Sequence, residues 1–448
     1  MDDVRPGVRK RLGAGLSAAV ARRPVLASIA RNAGWQVSDR VLRMGVGVFV
    51  SVWIARTLGP ADFGALGWMQ ALAGLFLAVT SLGMAEIMVR ELVRAPEDAP
   101  ELMGTALAMQ LAGGSIGYGL LIITVMLLRP GDGDTLLLAL VLGIGLVAQA
   151  SDVVRYWHDA RLESRYAIWV TNGVFAVVSL VRVALLLAGA PLLAFAIMIS
   201  VEAVLTAAAL LVLQSRRQGG LFQWKPRLAR ARRLLGESWP LLFASIAVLI
   251  NMRIDQVMLG EMASNTAVGL YTAAVRLSEI WYFVPMVIVA SAFPALVAVH
   301  GKDERAANWQ WRRLYALMFW MALAAGMGAS VLARLVVTLL YGADYAGAGA
   351  VLEVHIWSGL GVCLGAVWSK WMLLEGKLRL TLFVHVMSAV TNIGCNLWLI
   401  PDYGAMGAAM ATLIASLLSA FMSFFLHRPS VVFGHLAAAI MPWRLGAV

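Results

Sequence analysis

Apolar blocks of about twenty residues, the length a helix needs to cross the hydrocarbon core of a bilayer, recur along almost the whole of this 448-residue sequence. Twelve can be drawn, at residues 31–58, 62–89, 101–128, 135–156, 165–188, 191–213, 236–260, 266–299, 311–340, 347–374, 380–400 and 403–426. None shows the two-residue alternation of a barrel strand, so they read as helices, which satisfy their own backbone in lipid. The expected fold is an all-α polytopic membrane protein. Composition agrees: 61% hydrophobic and 14% charged residues, with a mean hydropathy of +0.80, exclude a soluble enzyme, which is about half apolar and a quarter charged. Cys363 and Cys395 both fall inside apolar blocks, so neither a disulfide framework nor a thiolate metal cluster is expected.

The net charge of +11 reports topology first, through the basic residues of the loops. With the N-terminus in the cytoplasm, 28 of the 36 Lys and Arg residues fall on the cytoplasmic side and only Arg56, Arg129 and Arg334 on the outer side. Both termini are therefore expected in the cytoplasm. The basic stretch 1–30 contains a short Ala/Gly-rich piece, but it is poor in Leu, Ile and Phe and runs into Arg22-Arg23-Pro24. It reads as a cytosolic arm rather than a signal peptide. The remaining organisation is a six-helix half at 31–213, a basic cytosolic linker at 214–235, a second half at 236–427 and a cytosolic tail at 428–448.

The two halves carry a repeat. Gly59-Pro60-Ala61-Asp62-Phe63-Gly64 after the first block matches Ser264-Asn265-Thr266-Ala267-Val268-Gly269 after the seventh, which sets Gly269 against Gly64 at an offset of 205 positions. Six spans per half give both halves the same orientation, related by an axis along the membrane normal, as in transporters built around a central cavity. The expected architecture is thus twelve transmembrane helices in two six-helix repeats.

These residues also carry a family resemblance. Ala55-Arg56-Thr57-Leu58-Gly59-Pro60-Ala61-Asp62-Phe63-Gly64 resembles the signature that ends the first helix in bacterial oligosaccharide (O-antigen type) flippases of the multidrug/oligosaccharidyl-lipid/polysaccharide exporter superfamily. Asp255-Gln256-Val257-Met258-Leu259-Gly260, followed by Val268-Gly269-Leu270-Tyr271, resembles that family's seventh-helix pattern. The resemblance implies no enzyme. It implies movement of an undecaprenyl-diphosphate-linked oligosaccharide from the cytoplasmic to the outer leaflet of the bacterial inner membrane by alternating access, coupled to a cation gradient. Polysaccharide polymerase and other assembly proteins are the partners it suggests, together with membrane lipids and no nucleic acid.

The chemistry of the residues agrees. A diphosphate cannot cross hydrocarbon uncompensated, and arginine forks bind phosphate bidentately while staying charged. Five arginines lie within the blocks: Arg40, Arg43, Arg182, Arg253 and Arg276. Arg40 and Arg43 share one face of the first helix, where a cytoplasmic substrate first meets positive charge; alternatively Asp39 neutralises Arg43 at i,i+4 and Arg40 snorkels. Arg253 and Asp255, at i,i+2, point to different faces, so one can face the cavity and the other a neighbouring helix. Arg276 is a cavity candidate, yet Glu279 at i,i+3 favours a structural bridge. Arg182, near the outer end of its helix, snorkels.

Glu202, with no basic residue in its block, can take up a proton or hold Na⁺ as the coupling ion, or hydrogen-bond a neighbouring helix. Asp255 and the more peripheral Glu353, near His355, are the other coupling candidates. Glu86 and Arg90 read as an i,i+4 structural pair. The Gly113–Gly117 and Gly361–Gly365 spacings read as close helix packing, Pro285 as a kink, and Trp35, Trp169, Trp281 and Trp311 as interface anchors. Two other functional classes compete with the flippase. A membrane glycosyltransferase or polymerase needs a large outer loop, which is lacking in this sequence; a multidrug/cation antiporter favours an acidic cavity. A lipid II flippase or other polysaccharide exporter differs only in cargo.

Overall fold

The computed structural model describes residues 24–218, 224–300 and 302–426. Most of the N-terminal arm (1–23), part of the linker (219–223) and the C-terminal tail lie outside the described residues. Every regular element among the described residues is helical.

The first helical run, Pro24–Ser81, breaks at Gly59, where φ is 75° and ψ is 170°. Glycine adopts that left-handed φ without a Cβ clash, and Pro60 then starts the second arm where its missing N–H costs nothing. The arms are α1 (24–58) and α2 (60–81). Unbroken, the 58 residues would span about 87 Å, nearly three bilayer cores. They fold back instead. Asn32 accepts a hydrogen bond from the Ser164 amide at 3.0 Å, and Leu92, beyond α2, shares a core with Trp157 and Ala167 beside Ser164. Both ends of the hairpin thus return to one face of the molecule, here called the basic face; Gly59 lies at the far face.

The order continues with α3 (Ala85–Arg94), α4 (Ala99–Leu128), α5 (Gly133–Ala148), α6 (Val153–Ala160), α7 (Ser164–Leu187), α8 (Leu192–Gln218), α9 (Leu228–Met262), α10 (Asn265–Glu279), α11 (Phe283–Val299), α12 (Glu304–Tyr341), α13 (Ala346–His355), α14 (Ser358–Leu374), α15 (Leu378–Tyr403) and α16 (Ala405–Phe425). Among the described residues, ten helices are long and apolar enough to span a membrane; separating the arms at Gly59 and joining α13 to α14, which meet at 41°, gives twelve spans. Starts are set by side-chain caps at Asp132, Ser264 and Asp303. At Asp132 the Thr135 hydroxyl and amide hold the loop carboxyl below its usual range.

Two expectations change in detail. The eighth span does not kink at Pro285 but breaks at the 3₁₀ turn Ile280–Tyr282, leaving Pro285 in the first turn of α11, where proline is tolerated. Trp311 is no interface anchor: it is buried, with its ring 6.0 Å from that of Trp371.

The distribution of the core defines the shape. At the far face a single apolar core joins residues of both halves, from Val50 and Phe63 to Tyr271 and Tyr345. Toward the basic face it divides into two. One cluster runs from Met84 to Leu210 and takes in Leu234 of α9; the other, Val289 to Phe424, belongs to the second half alone. The apolar cores of the halves merge at the far face and separate toward the basic one, where the start of α9 still joins the first half through Leu242 beside Gly83 and through the Arg230–Asp98 and Arg233–Glu91 pairs. Close approach within each half uses glycine, as lipid-embedded helices require: a Cβ at Gly113 would lie 2.6 Å from the Val79 carbonyl oxygen, and one at Gly361 2.4 Å from that of Ser416. Gly365 has no such neighbour.

Candidate functional site

The seal at the far face is made by the repeated motif. A Cβ at Gly64 would sit 1.7 Å from the carbonyl oxygen of Asn265, and one at Gly269 2.0 Å from that of Pro60. The 205-position offset carries Pro60 to Asn265 and Gly64 to Gly269, so the contact maps onto itself, as contacts on a two-fold axis do. In a second pair the acceptors alone follow the offset, the donors Arg129 and Tyr345 being 216 positions apart. Tyr345 donates from its hydroxyl to the Ala55 carbonyl at 2.9 Å, and Arg129 donates to the Gly260 carbonyl at 3.1 Å; Ala55 and Gly260 are again 205 positions apart. Arg129 also bonds Glu261 at 3.0 Å and Asn265 at 3.2 Å, and its guanidinium lies 4.0 Å from the centre of a Trp68 ring. Arg56 of the motif donates to the Leu339 carbonyl at 2.9 Å, and Phe63 packs edge-on against Tyr345. The motif is therefore a joint: Gly59 turns the chain, Pro60 restarts the helix, and Gly64 admits the opposite backbone.

Within the first half, α1, α6 and α7 enclose a cleft of about 460 Å³ at the basic face, lined by Gln36, Asp39, Arg40, Arg43, Arg155 and Ser164 among others. The expected Asp39–Arg43 pair is present at 2.9 Å, but it uses only the Nε of Arg43. One terminal nitrogen, Nη2, is buried with no hydrogen-bond partner among the described residues. Arg40 makes no ion pair with the described residues. Deeper in, Glu202 proves not to be a lone carboxylate: Arg182 of α7 reaches it at 2.8 Å and Arg43 of α1 at 3.9 Å. Arg182 accordingly pairs inward instead of snorkelling. Both partners come from other helices, which is why a search within the Glu202 block missed them.

At the joint between the halves stand Arg253 and Arg276. Arg253 lies along Gly74 of α2, its Cγ 3.6 Å from where a Cβ would be. The expected Arg276–Glu279 bridge does not form. Arg276 turns across to α2 and donates to Gln70 at 3.2 Å, with its guanidinium 5.1 Å from the Phe63 ring centre. The i,i+3 geometry within α10 loses to a partner on the facing helix, and Arg276 stays without a carboxylate partner among the described residues. Arg90 likewise ignores Glu86 and bonds Glu91 and, across the halves, Glu237.

Asp255 points the other way from Arg253, as its spacing requires, into the second half. It is buried and accepts hydrogen bonds from Tyr271 at 2.9 Å, Thr412 at 2.7 Å and Asn396. Asn396 also donates to Asn392, while its own Oδ1 is buried without a partner. The result is an α9 carboxylate ringed by two hydroxyls and an amide from α10, α15 and α16, with amide oxygens of Asn392 and Asn396 close by, a neutral polar setting suited to a proton or a hard cation. Asn392 and Asn396, at i,i+4 in an apolar block, were the legible signal for it. Glu353 is remote from this cluster and pairs with Arg334 at 2.9 Å, while His355 bonds Ser278 at 2.8 Å and meets the edge of Tyr271.

Comparison with known proteins agrees with this architecture. The inward-facing form of a multidrug resistance MATE family transporter of the MOP superfamily superposes with a TM-score of 0.68 at 15% identity, over 87% of this chain and 94% of that one. The inward closed conformation of the lipid II flippase MurJ gives 0.67 at 12% identity, over 93% of each chain. At such identities they share the fold. In sequence, the protein named Probable flippase AglR of Haloferax volcanii is 27% identical over 178 residues, 38% of this chain and 36% of its own length, so the match spans about a third of that relative. The family described as polysaccharide biosynthesis protein matches residues 29–300, well over half of the sequence. This chain is a member of the polysaccharide biosynthesis protein family.

Proposed function

We propose that the protein is a flippase for a lipid-linked oligosaccharide with a diphosphate headgroup, undecaprenyl diphosphate in bacteria, carried from the leaflet at the basic face to the opposite one by alternating access. The observation that carries this reading is the set of arginines in and beside the spanning helices. Arg40, Arg43 and Arg155 line the cleft at the basic face, Arg43 with an unbonded terminal nitrogen, and Arg276 and Arg253 stand at the joint of the halves. Such a set suits an anion and opposes a cationic drug. The family name and the flippase name of the relative support the same cargo class. In this reading the basic face is cytoplasmic, the membrane is the inner membrane, the product serves O-antigen or a related surface polysaccharide, and a polymerase acts next.

Coupling to a cation belongs at Asp255 in this proposal, with Asn392, Asn396, Thr412 and Tyr271 supplying neutral oxygens for Na⁺ or holding a proton-binding carboxyl. Glu202 is less suited, because an ion-paired carboxylate already has its countercharge. The test is reconstitution in proteoliposomes with a fluorescent polyprenyl-diphosphate oligosaccharide and a leaflet-selective quencher. Wild type should translocate the probe, and Arg40→Ala and Arg43→Ala should each lose about tenfold or more in rate at equal reconstitution. Equal rates in empty liposomes and with wild-type protein would overturn the reading.

A further inference from the structure

We propose that Glu202 is an internal stand-in for the substrate's phosphate: it holds the arginines of the first half while the site is empty, and yields Arg43 when a diphosphate arrives. The inference rests on the flippase reading above and adds to it a residue that sets affinity and release.

The three charged side chains of this node come from three helices. Arg182 of α7 is bound to Glu202 of α8 at 2.8 Å, and Arg43 of α1 lies 3.9 Å from the other carboxylate oxygen. The two contacts are unequal. The first is a close ion pair, with Arg182 steadied further by a hydrogen bond to the Met198 carbonyl at 3.4 Å. The second stands at the outer limit of an ion pair. Arg43 meanwhile spends Nε on Asp39 and keeps Nη2 buried and unbonded, with its guanidinium 5.1 Å from the centre of the Phe175 ring. An arginine held at one nitrogen, loosely faced at a second and unbonded at the third can turn its Nη1–Nη2 edge to a bidentate oxyanion once the distant carboxylate gives way.

Depth places the node on the route. Arg43 is eleven residues beyond Asn32, about 16 Å inward from the basic face along α1, and Arg182 is eighteen beyond Ser164, about 27 Å along α7. The side chains are 27% (Arg43), 20% (Glu202) and 12% (Arg182) exposed, and Arg43 also lines the basic-face cleft, so a headgroup entering the cleft meets Arg43 first and gains Nη2 as Arg43 swings away from Glu202. Charge explains its use. With no substrate, unpaired arginines at this depth are costly, and Glu202 and Asp39 offset them. With a diphosphate bound, the same carboxylates repel it. The carrier therefore exchanges one anion for another at Arg43, and recapture of Arg43 by Glu202 expels the headgroup.

The test measures Kd for geranylgeranyl diphosphate and, separately, for inorganic pyrophosphate, on full-length protein in nanodiscs. Glu202→Gln should tighten both by about tenfold, which is about 1.4 kcal/mol, and should slow turnover in proteoliposomes because release is impaired. Glu202→Asp keeps a charge beside Arg182 but withdraws it from Arg43, so it should tighten both by a smaller factor; it carries the test should Glu202→Gln fold poorly. Unchanged or weaker binding by both variants, or tightening for the lipid-borne probe alone, overturns the stand-in while leaving the flippase reading intact. Failure of wild type and every variant to bind either probe overturns the diphosphate reading and this inference with it.

Discussion

Gly64 and Gly269 press against each other's helix starts: the α carbon of Gly64 faces the carbonyl of Asn265, and that of Gly269 faces the carbonyl of Pro60. The contact is reciprocal because the residues are repeats of one another, and it sits at the far face, where the two halves share a single core. Any state open to the far face has to break it.

Gly64→Ala should therefore act on the conformational equilibrium. A Cβ 1.7 Å from a backbone oxygen cannot be relieved by a rotamer change, so the far-face seal is lost and transport should fall by about tenfold or more. A cysteine at Thr272, which faces Gly67 across the same joint, should become reactive to an impermeant maleimide added at the far face in the Gly64→Ala background and stay protected without it.

Arg129→Ala removes three hydrogen bonds across the joint. Since Arg129 and Glu261 retain some exposure, a loss of about 1–2 kcal/mol is expected, enough to shift the equilibrium about tenfold toward the far-open state. Arg129→Lys should restore little, having a single nitrogen for three acceptors. The same maleimide assay reads both variants.

Arg276→Ala should reach the membrane at near-normal abundance and lose export, because Arg276 bonds Gln70 rather than Glu279. A second change, Glu279→Ala, should not rescue it. Abundance that falls in Arg276→Ala and recovers in the double variant, scored by immunoblot, would instead reveal a structural bridge in the membrane.

Asp255→Asn keeps the size and much of the hydrogen bonding of the buried cluster while removing its charge. The variant should insert normally, and its proteoliposome transport should no longer respond to an imposed Na⁺ or proton gradient. Glu202→Gln should keep that response, however slow its turnover. A gradient response retained by Asp255→Asn moves coupling elsewhere.

Single cysteines at Gln218 and Asp303 should label from the cytoplasm, and at Gly131 and Ala343 from outside, in cells treated with an impermeant reagent. The prediction follows from the distribution of basic residues, and outside labelling at position 218 would reverse it.

Span number, the hairpin at Gly59-Pro60 and the repeat were all legible in the sequence, because each depends on neighbours along the chain: hydrocarbon thickness sets block length, a positive φ demands glycine, and an offset can be counted. The pairing of Asp39 with Arg43 was legible for the same reason, since helical spacing puts i and i+4 on one face. Only the tertiary structure decided what the remaining charges do. Glu202 finds its partners on α7 and α1, Arg276 exchanges Glu279 for Gln70 on α2, and Asp255 gathers Asn396 and Thr412 from α15 and α16. In lipid, where water offers buried polar groups no partner, they are satisfied by whichever helix packs alongside. Which helix that is depends on how glycines and apolar faces fit together in three dimensions, and no spacing within a single helix encodes it.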